Sequence, residues 1–427
     1  MKYLNKAKID KRNCTHIKLD NSAIYHMASR SKRWINIFRL SATLKEDVDP
    51  QTLQSALNIT IKRFPSIASK IHKGVFWYYQ SNIDNAPCII KDDNNLLRYM
   101  SNRELSECAF RVLYSNKCIH VEFFHALTDG NGGMTFLNSL IAEYLTQKYN
   151  LHLVFTKGVL DCKETPLPEE IIDAYYEVQS LEGTRIKNKP VYQISGKKDH
   201  KLNVTTGIIP IDDIKRLSKE WDVSITVLIT SLVMYSLINI QKQEVKTNKQ
   251  RPIKIFLPVD LRNFFPSKTL RNFVHYATPE IDPKEKNYTL KEITNSVKQQ
   301  LSEQLTKDNL KANVTYNVQL EKRLIVRLLP LFLKKALMKV AFLLNEKSTC
   351  MTISNLGIIK VPKEMQSYME RFDFILSSRR KSPYNCGITS YDDKLYINFT
   401  RNTKYPILER KFIELSEEFD LNFTIET

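Results

Sequence analysis

The sequence is short of glycine, 10 residues in 427, and none of them sits in a phosphate-cradling loop. There is no GxxxxGK[ST], which excludes an ordinary P-loop, and Gly130, Gly132 and Gly133 miss the spacing of a dinucleotide-binding GxGxxG. No GxSxG elbow presents a serine nucleophile, and no HExxH sets two histidines on one helix face for zinc. His120 and His125 stand an odd number of positions apart on an expected strand, so they point to opposite faces and do not share a metal. The seven cysteines are scattered and contain no CxxC pair, which argues against a disulfide framework and for a reducing compartment. None stands beside a histidine in a recognisable pattern, so covalent catalysis has no visible nucleophile. Met1 to Asp20 lacks an apolar core, and no signal peptide is expected there.

Acids are also outnumbered: 64 Lys and Arg against 46 Asp and Glu leave a net charge of +18. That balance implies an anionic partner or surface. No nucleic-acid-binding module is recognisable, so nucleic acid is not the expected partner.

What is present reads as a folded protein of ordinary composition, 42% hydrophobic and 26% charged. The length suits two to three domains or one large two-lobed unit. Val223 to Ile240 is the one long uncharged stretch, but Ser224, Thr226, Thr230, Ser231, Ser236 and Asn239 interrupt it. It reads as a buried core helix, not a membrane span. Helices and strands are mixed along the chain, which points to an α/β or α+β fold. Trp34 to Leu44 reads as a strand, and Asp49-Pro50 opens a helix through about Phe64. Lys117 to Leu127 reads as a second strand, ended by Asp129-Gly130-Asn131-Gly132-Gly133, with a helix from Met134 to Tyr149. A Pro-containing and then basic stretch suggests a division into a lobe at 1–165, a connection at 166–202 and a second lobe at 203–427.

Chemistry concentrates in Phe124-His125-Ala126-Leu127-Thr128-Asp129-Gly130. The imidazole stands at the end of a strand, a carboxylate follows four residues on, and the turn hands over to a helix. A neutral imidazole can take a proton from an alcohol or an amine near neutral pH. The competing reading is a plain turn held by an Asx hydrogen bond.

His125-xxx-Asp129-Gly130 resembles the active-site motif of the CoA-dependent acyltransferase superfamily. Ser31-Lys32-Arg33-Trp34, Leu257 to Arg262, Leu270 to Phe273 and Thr352 to Gly357 resemble its alcohol acetyltransferase-like branch, in order along most of the chain. The resemblance implies two chloramphenicol acetyltransferase-like lobes with a tunnel between them, and direct transfer from a thioester with His125 as general base. It implies that Asp129 is structural and held by an arginine, for which Arg262 is the candidate. Gly130, Ser354 and Asn355 become candidates for substrate positioning or for stabilising an oxyanion, against a plain turn at Ser354-Asn355. Two departures separate the chain from other branches. Phe124 replaces the first of the two histidines usual in condensation domains, and no DFGWG of the plant enzymes occurs near Tyr384 to Asn402. The expected co-substrate is acyl-CoA or an acyl carrier protein, with an alcohol or amine acceptor, no bound cofactor and no metal. The expected state is a cytoplasmic monomer. The alternatives are a non-catalytic binding protein of the same fold and a basic protein of the membrane surface.

Arg327, Lys334, Lys335 and Lys339 interrupt an apolar run from Leu324 to Leu344. Such a helix can lie on an anionic membrane. The simpler expectation is that it buries its leucines in the second lobe while its lysines snorkel to water.

Overall fold

The computed structural model describes residues 17–32, 34–178, 189–323, 328–379 and 381–426. It shows a mixed α/β fold built on two large sheets. The first has five strands, in the order Met369–Leu376, Ile37–Leu44, Cys118–Phe124, Phe110–Ser115 and Ile90–Lys91. The second has eight. Val274–Ala277, Ile253–Asp260, Met351–Ile358, Tyr384–Tyr391, Lys394–Thr403, Lys198–Pro210 and Thr424–Glu426 run in that order, and Glu280–Ile281 also pairs with Ile253–Asp260. A small third sheet joins Ile17–Lys18, Tyr78–Asn82 and Ser69–Lys73.

In the first lobe, helices Pro50–Arg63 and Gly130–Tyr149 bury their apolar faces in one core with the sheet. Asp49 caps the first of them by accepting from the Thr52 N–H, and Pro50 fills the position where a missing N–H costs nothing. Leu53, Ala56 and Leu57 face inward with Phe136, Leu137 and Leu140. Each fully buried leucine contributes about 1.5–3 kcal/mol.

Helix Gly130–Tyr149 starts four residues before the expected Met134. The glycine run is therefore its first turn and not a loop. Asp129 is the reason: its carboxylate accepts from the Gly132 N–H at 3.0 Å and caps the helix.

The second lobe wraps its core around helix Ile225–Glu244, which is long and apolar enough to cross a membrane but has 72% of its apolar window buried. Two of its buried hydroxyls are satisfied within the helix. Ser231 and Ser236 donate to the carbonyls of Val227 and Leu232 at 2.8 and 2.7 Å. The helix is a core element.

Two features depart from the sequence division at 166–202 and 203. Val191, Tyr192 and Ile194 are buried in the second core, and Lys198–Pro210 is a strand of the second sheet, so the end of the expected connection belongs to the second lobe. The segment 179–188 lies outside the described residues. Strand Met369–Leu376 follows the second-lobe strand Met351–Ile358 in sequence but pairs antiparallel with Ile37–Leu44, setting Phe374 opposite Leu40. One strand from the C-terminal half thus completes the first sheet. Its apolar pattern marks a strand but carries no information about its partner.

Candidate active site

Strand Cys118–Phe124 lies inside the first sheet, between Ile37–Leu44 and Phe110–Ser115. It stops one residue before His125, earlier than the expected Leu127. His125 stands just past the last ladder pair, and its N–H still donates to its in-register partner, the Asn36 carbonyl, at 2.9 Å. Asn36 has a φ of 51°, a left-handed conformation that asparagine tolerates, and its side chain donates to the His26 carbonyl and to Ser29 Oγ, both at 2.9 Å. This small knot ties the His125 turn to helix Asn21–Ser29.

The imidazole is held on three sides. His26 stacks on it at 4.1 Å between ring centroids, with 10° between planes. Phe38 presents an edge at 5.0 Å. Asn272 comes from the other half of the chain. Its Nδ2 donates to the His125 carbonyl at 3.1 Å, and its Oδ1 lies 3.2 Å from His125 Nδ1. The first contact orients the amide, so the second requires Nδ1 to carry the proton. Nε2 is then left with its lone pair. Burial, the largest effect, lowers the pKa of His125 below 6.5, against smaller upward pulls from Asp129 and Asn272. His26 is pushed down further, first by burial and then by the neighbouring His125. The pair is neutral at pH 7, and His125 is half-buried, so its ring stays within reach.

Asp129 does not touch the imidazole. Its Oδ1 accepts from Gly132, and its Oδ2 accepts from the Phe273 N–H at 2.9 Å and from Arg262 Nη1 at 2.8 Å. Arg262 also donates to Asp260 Oδ1 at 2.8 Å and to the carbonyls of Thr269 and Arg271. Its pKa is raised, because the Asp129 and Asp260 carboxylates outweigh its desolvation. The carboxylate is therefore a joint between lobes: it caps a first-lobe helix and binds the Arg262–Phe273 segment that delivers Asn272. The joint closes tightly at Gly132, where a Cβ would stand 2.3 Å from the Leu270 carbonyl oxygen. That oxygen accepts from Thr128 Oγ1 at 2.6 Å. Only glycine fits there.

The remaining candidates separate. Gly130 opens the helix and packs under Leu356, whose Cδ2 would lie 2.6 Å from an added Cβ. Strand Met351–Ile358 thus brings Leu356 to the start of the histidine loop's helix. The strand loses its regular register between Asn355 and Ile358, so alternation alone does not put Ser354 on the face of Leu356. Asn355 spends its amide elsewhere. Its Nδ2 donates to Thr226 Oγ1 at 3.1 Å, and its Oδ1 accepts from the Gly357 N–H at 2.8 Å. The structure does not bring Asn355 to the imidazole. Asn272 and His26 are the neighbours that sequence reasoning gave no role. Asn272 sits in a segment quoted only for resemblance, and no local pattern ties it to a histidine 147 positions away. His26 precedes every motif read. Burial pushes the thiols of Cys108, Cys162 and Cys350 up to about 12, so they stay protonated and weakly nucleophilic.

Residues 178–375 match the alcohol acetyltransferase family. A comparison with curated protein sequences gives no significant match. Among solved structures, the chain is similar to a trichothecene 15-O-acetyltransferase from Fusarium sporotrichioides, with a TM-score of 0.62 at 11% identity over 97% of this chain and 96% of that one. TRI101 of F. graminearum, complexed with coenzyme A and T-2 mycotoxin, gives 0.63 at 11% identity over 96% and 99%. The epimerization domain from the third module of tyrocidine synthetase B gives 0.60 at 10% identity over 95% of each chain. The fold is that of the CoA-dependent acyltransferases. At these identities the likeness is one of architecture. In this acyltransferase fold, His125 belongs to the first lobe and Asn272 to the second, so the imidazole stands where the two meet.

Proposed function

We propose that the protein is a CoA-dependent acyltransferase that moves an acyl group from a thioester to an alcohol by direct transfer, with His125 as general base. The observation that carries this reading is the fixed tautomer of His125, whose Nδ1–H faces Asn272 and whose Nε2 is left as the acceptor. Nε2 removes the hydroxyl proton of the acceptor as its oxygen attacks the thioester carbonyl. The C–S bond then breaks, and the proton on Nε2 passes to the departing thiolate. The Gly130 N–H, at the open first turn of its helix, and the Ser354 hydroxyl are the donors we assign to the oxyanion in between. The family match favours an alcohol over an amine as acceptor. The net charge of +18 suits the phosphates of CoA, and an acidic carrier protein would satisfy it equally.

The test is release of free thiol from acetyl-, medium- and long-chain acyl-CoA, with and without a pool of alcohols and amines. Thiol release that depends on an alcohol is the expected result. Silence with every acyl-CoA and with an acylated carrier protein would leave a binding protein of this fold.

The pH profile adds a second check. Because burial lowers the pKa of His125, the acid limb of kcat/KM is centred below pH 6.5. The rate falls there as Nε2 gains a proton and the base is lost. An acid limb at or above 6.5 would contradict the neutral, desolvated imidazole.

Asn272 is a positioning residue in this scheme. Asn272→Leu frees the ring to turn, and a misplacement of about 1 Å costs about 10²-fold in kcat, with KM for the donor little changed. Asn272→Asp restores an acceptor and adds a charge beside Nδ1. It therefore moves the acid limb upward, a shift that a merely structural contact would not produce.

A further inference from the structure

Helix Leu331–Asn345 is apolar on both sides. Its buried stripe is Leu331, Lys334, Met338 and Phe342, at helical spacing. That stripe seats on the first lobe, not the second. Phe342 lies 3.6 Å from the Trp34 ring and 5.2 Å from Tyr25, and the Leu331 N–H donates to the Val75 carbonyl at 3.0 Å. Lys334 Nζ donates to the Phe76 carbonyl at 2.8 Å. The expectation that the leucines are buried in the second lobe therefore fails. The first-lobe aromatics take one stripe, and the opposite face is left outward. On that face Phe332 is 65% exposed, Leu337 64% and Val340 57%. Leu328 precedes them and Val75 and Phe76 lie alongside, all exposed. Single exposed leucines are ordinary, but a contiguous set on one helix is not. An apolar helix face turned away from the protein marks an interaction surface.

The rim decides what covers it. Lys335 and Lys339 stand one turn apart at the border between the two faces, and Arg30 and Lys73 are close enough to weigh on the charge of Lys335. Between residues 328 and 347 the only acid is Glu346, which is buried and paired with Lys381. Arg327 lies outside the described residues. A second copy meeting this face about a two-fold axis would set these cations against themselves with no acid to answer them.

We propose that this face docks on an anionic lipid bilayer, with Phe332, Leu337 and Val340 in the headgroup–acyl boundary and Lys335 and Lys339 on lipid phosphates. This does not rest on acyl transfer, although the site is close. Phe342 touches Tyr25, Tyr25 meets the ring of His26 at 5.6 Å, and His26 stacks on His125. The membrane and the imidazole would lie on two sides of one aromatic layer.

The test is co-sedimentation of the full chain with vesicles of phosphatidylcholine alone and of equimolar phosphatidylcholine and phosphatidylglycerol. The wild type pellets with the anionic vesicles, and salt weakens the binding. Lys335→Ala and Lys339→Ala each weaken it about fivefold. Leu337→Glu combined with Val340→Glu abolishes it while thiol release in lipid-free solution is unchanged, because both side chains face outward. Equal binding to both vesicle types, no binding to either, or retention by the Glu double variant would overturn the proposal. So would light scattering that shows a lipid-free dimer broken by the same double variant, which would assign the face to a second copy.

Discussion

His125→Ala lowers kcat for acyl transfer about 10²–10⁴-fold, the usual contribution of a positioned general base. The loss falls on kcat more than on KM, because the imidazole acts on a proton that moves only as the bond forms. Folding survives. The removed ring is half-buried, and the backbone bond from residue 125 to the Asn36 carbonyl does not depend on the side chain. The cost in stability is that of leaving Asn272 Oδ1 without its partner, about 1–3 kcal/mol. The measurement is steady-state thiol release from acyl-CoA beside a thermal melt. A variant that melts near the wild type and keeps full activity would remove the imidazole from the mechanism. His125→Gln sharpens the result: its amide can still donate to Asn272, so it preserves packing and lacks a base. Equal losses in the Ala and Gln variants assign the effect to the proton and not to the shape of the site.

How far the sequence led depends on whether the information was local. The α/β character, the Asp49-Pro50 helix start and the strand before His125 follow from patterns of a few residues. They were legible because caps and alternation act over one or two turns. Strands Tyr384–Tyr391 and Lys394–Thr403 turn at Asp392-Asp393, a signal of the same local kind, and both residues take the left-handed conformation such a turn requires. The partner of strand Met369–Leu376 was not legible, because it is chosen by the assembly of two lobes. Nor was the amide of Asn272, which reaches His125 only once the Asp129–Arg262 joint has closed. The basic apolar helix was readable as amphipathic, but which face meets the protein depended on aromatics at Tyr25 and Trp34, far away in the chain. Asn355 shows the opposite error. A polar pair at a strand end suggests a site, yet alternation sends one of the two away, toward Thr226.

Arg262→Met destabilises the protein by about 3–5 kcal/mol, because it leaves the Asp129 carboxylate buried without its counter-charge. The side chains of Arg262 and Asp129 are 15% and 2% exposed, so water can replace little of what is lost. The carbonyls of Thr269 and Arg271 lose their donor in the same step, and these flank the segment that carries Asn272. Activity therefore falls together with stability, although Arg262 acts on the imidazole only through Asn272. The double variant Arg262→Met with Asp129→Asn separates the two causes. It removes the unpaired charge, and the amide oxygen introduced at position 129 can accept from the Gly132 N–H, but its NH2 then faces the Phe273 N–H, so only part of the lost stability returns. Its activity recovers only as far as Asn272 returns to His125. Urea unfolding of the wild type, both single variants and the double variant gives the coupling energy directly. A coupling near zero, with Arg262→Met as stable as the wild type, would show that the joint between the lobes is held elsewhere. In that case the Asp129–Arg262 pair could not be what holds Asn272 against His125.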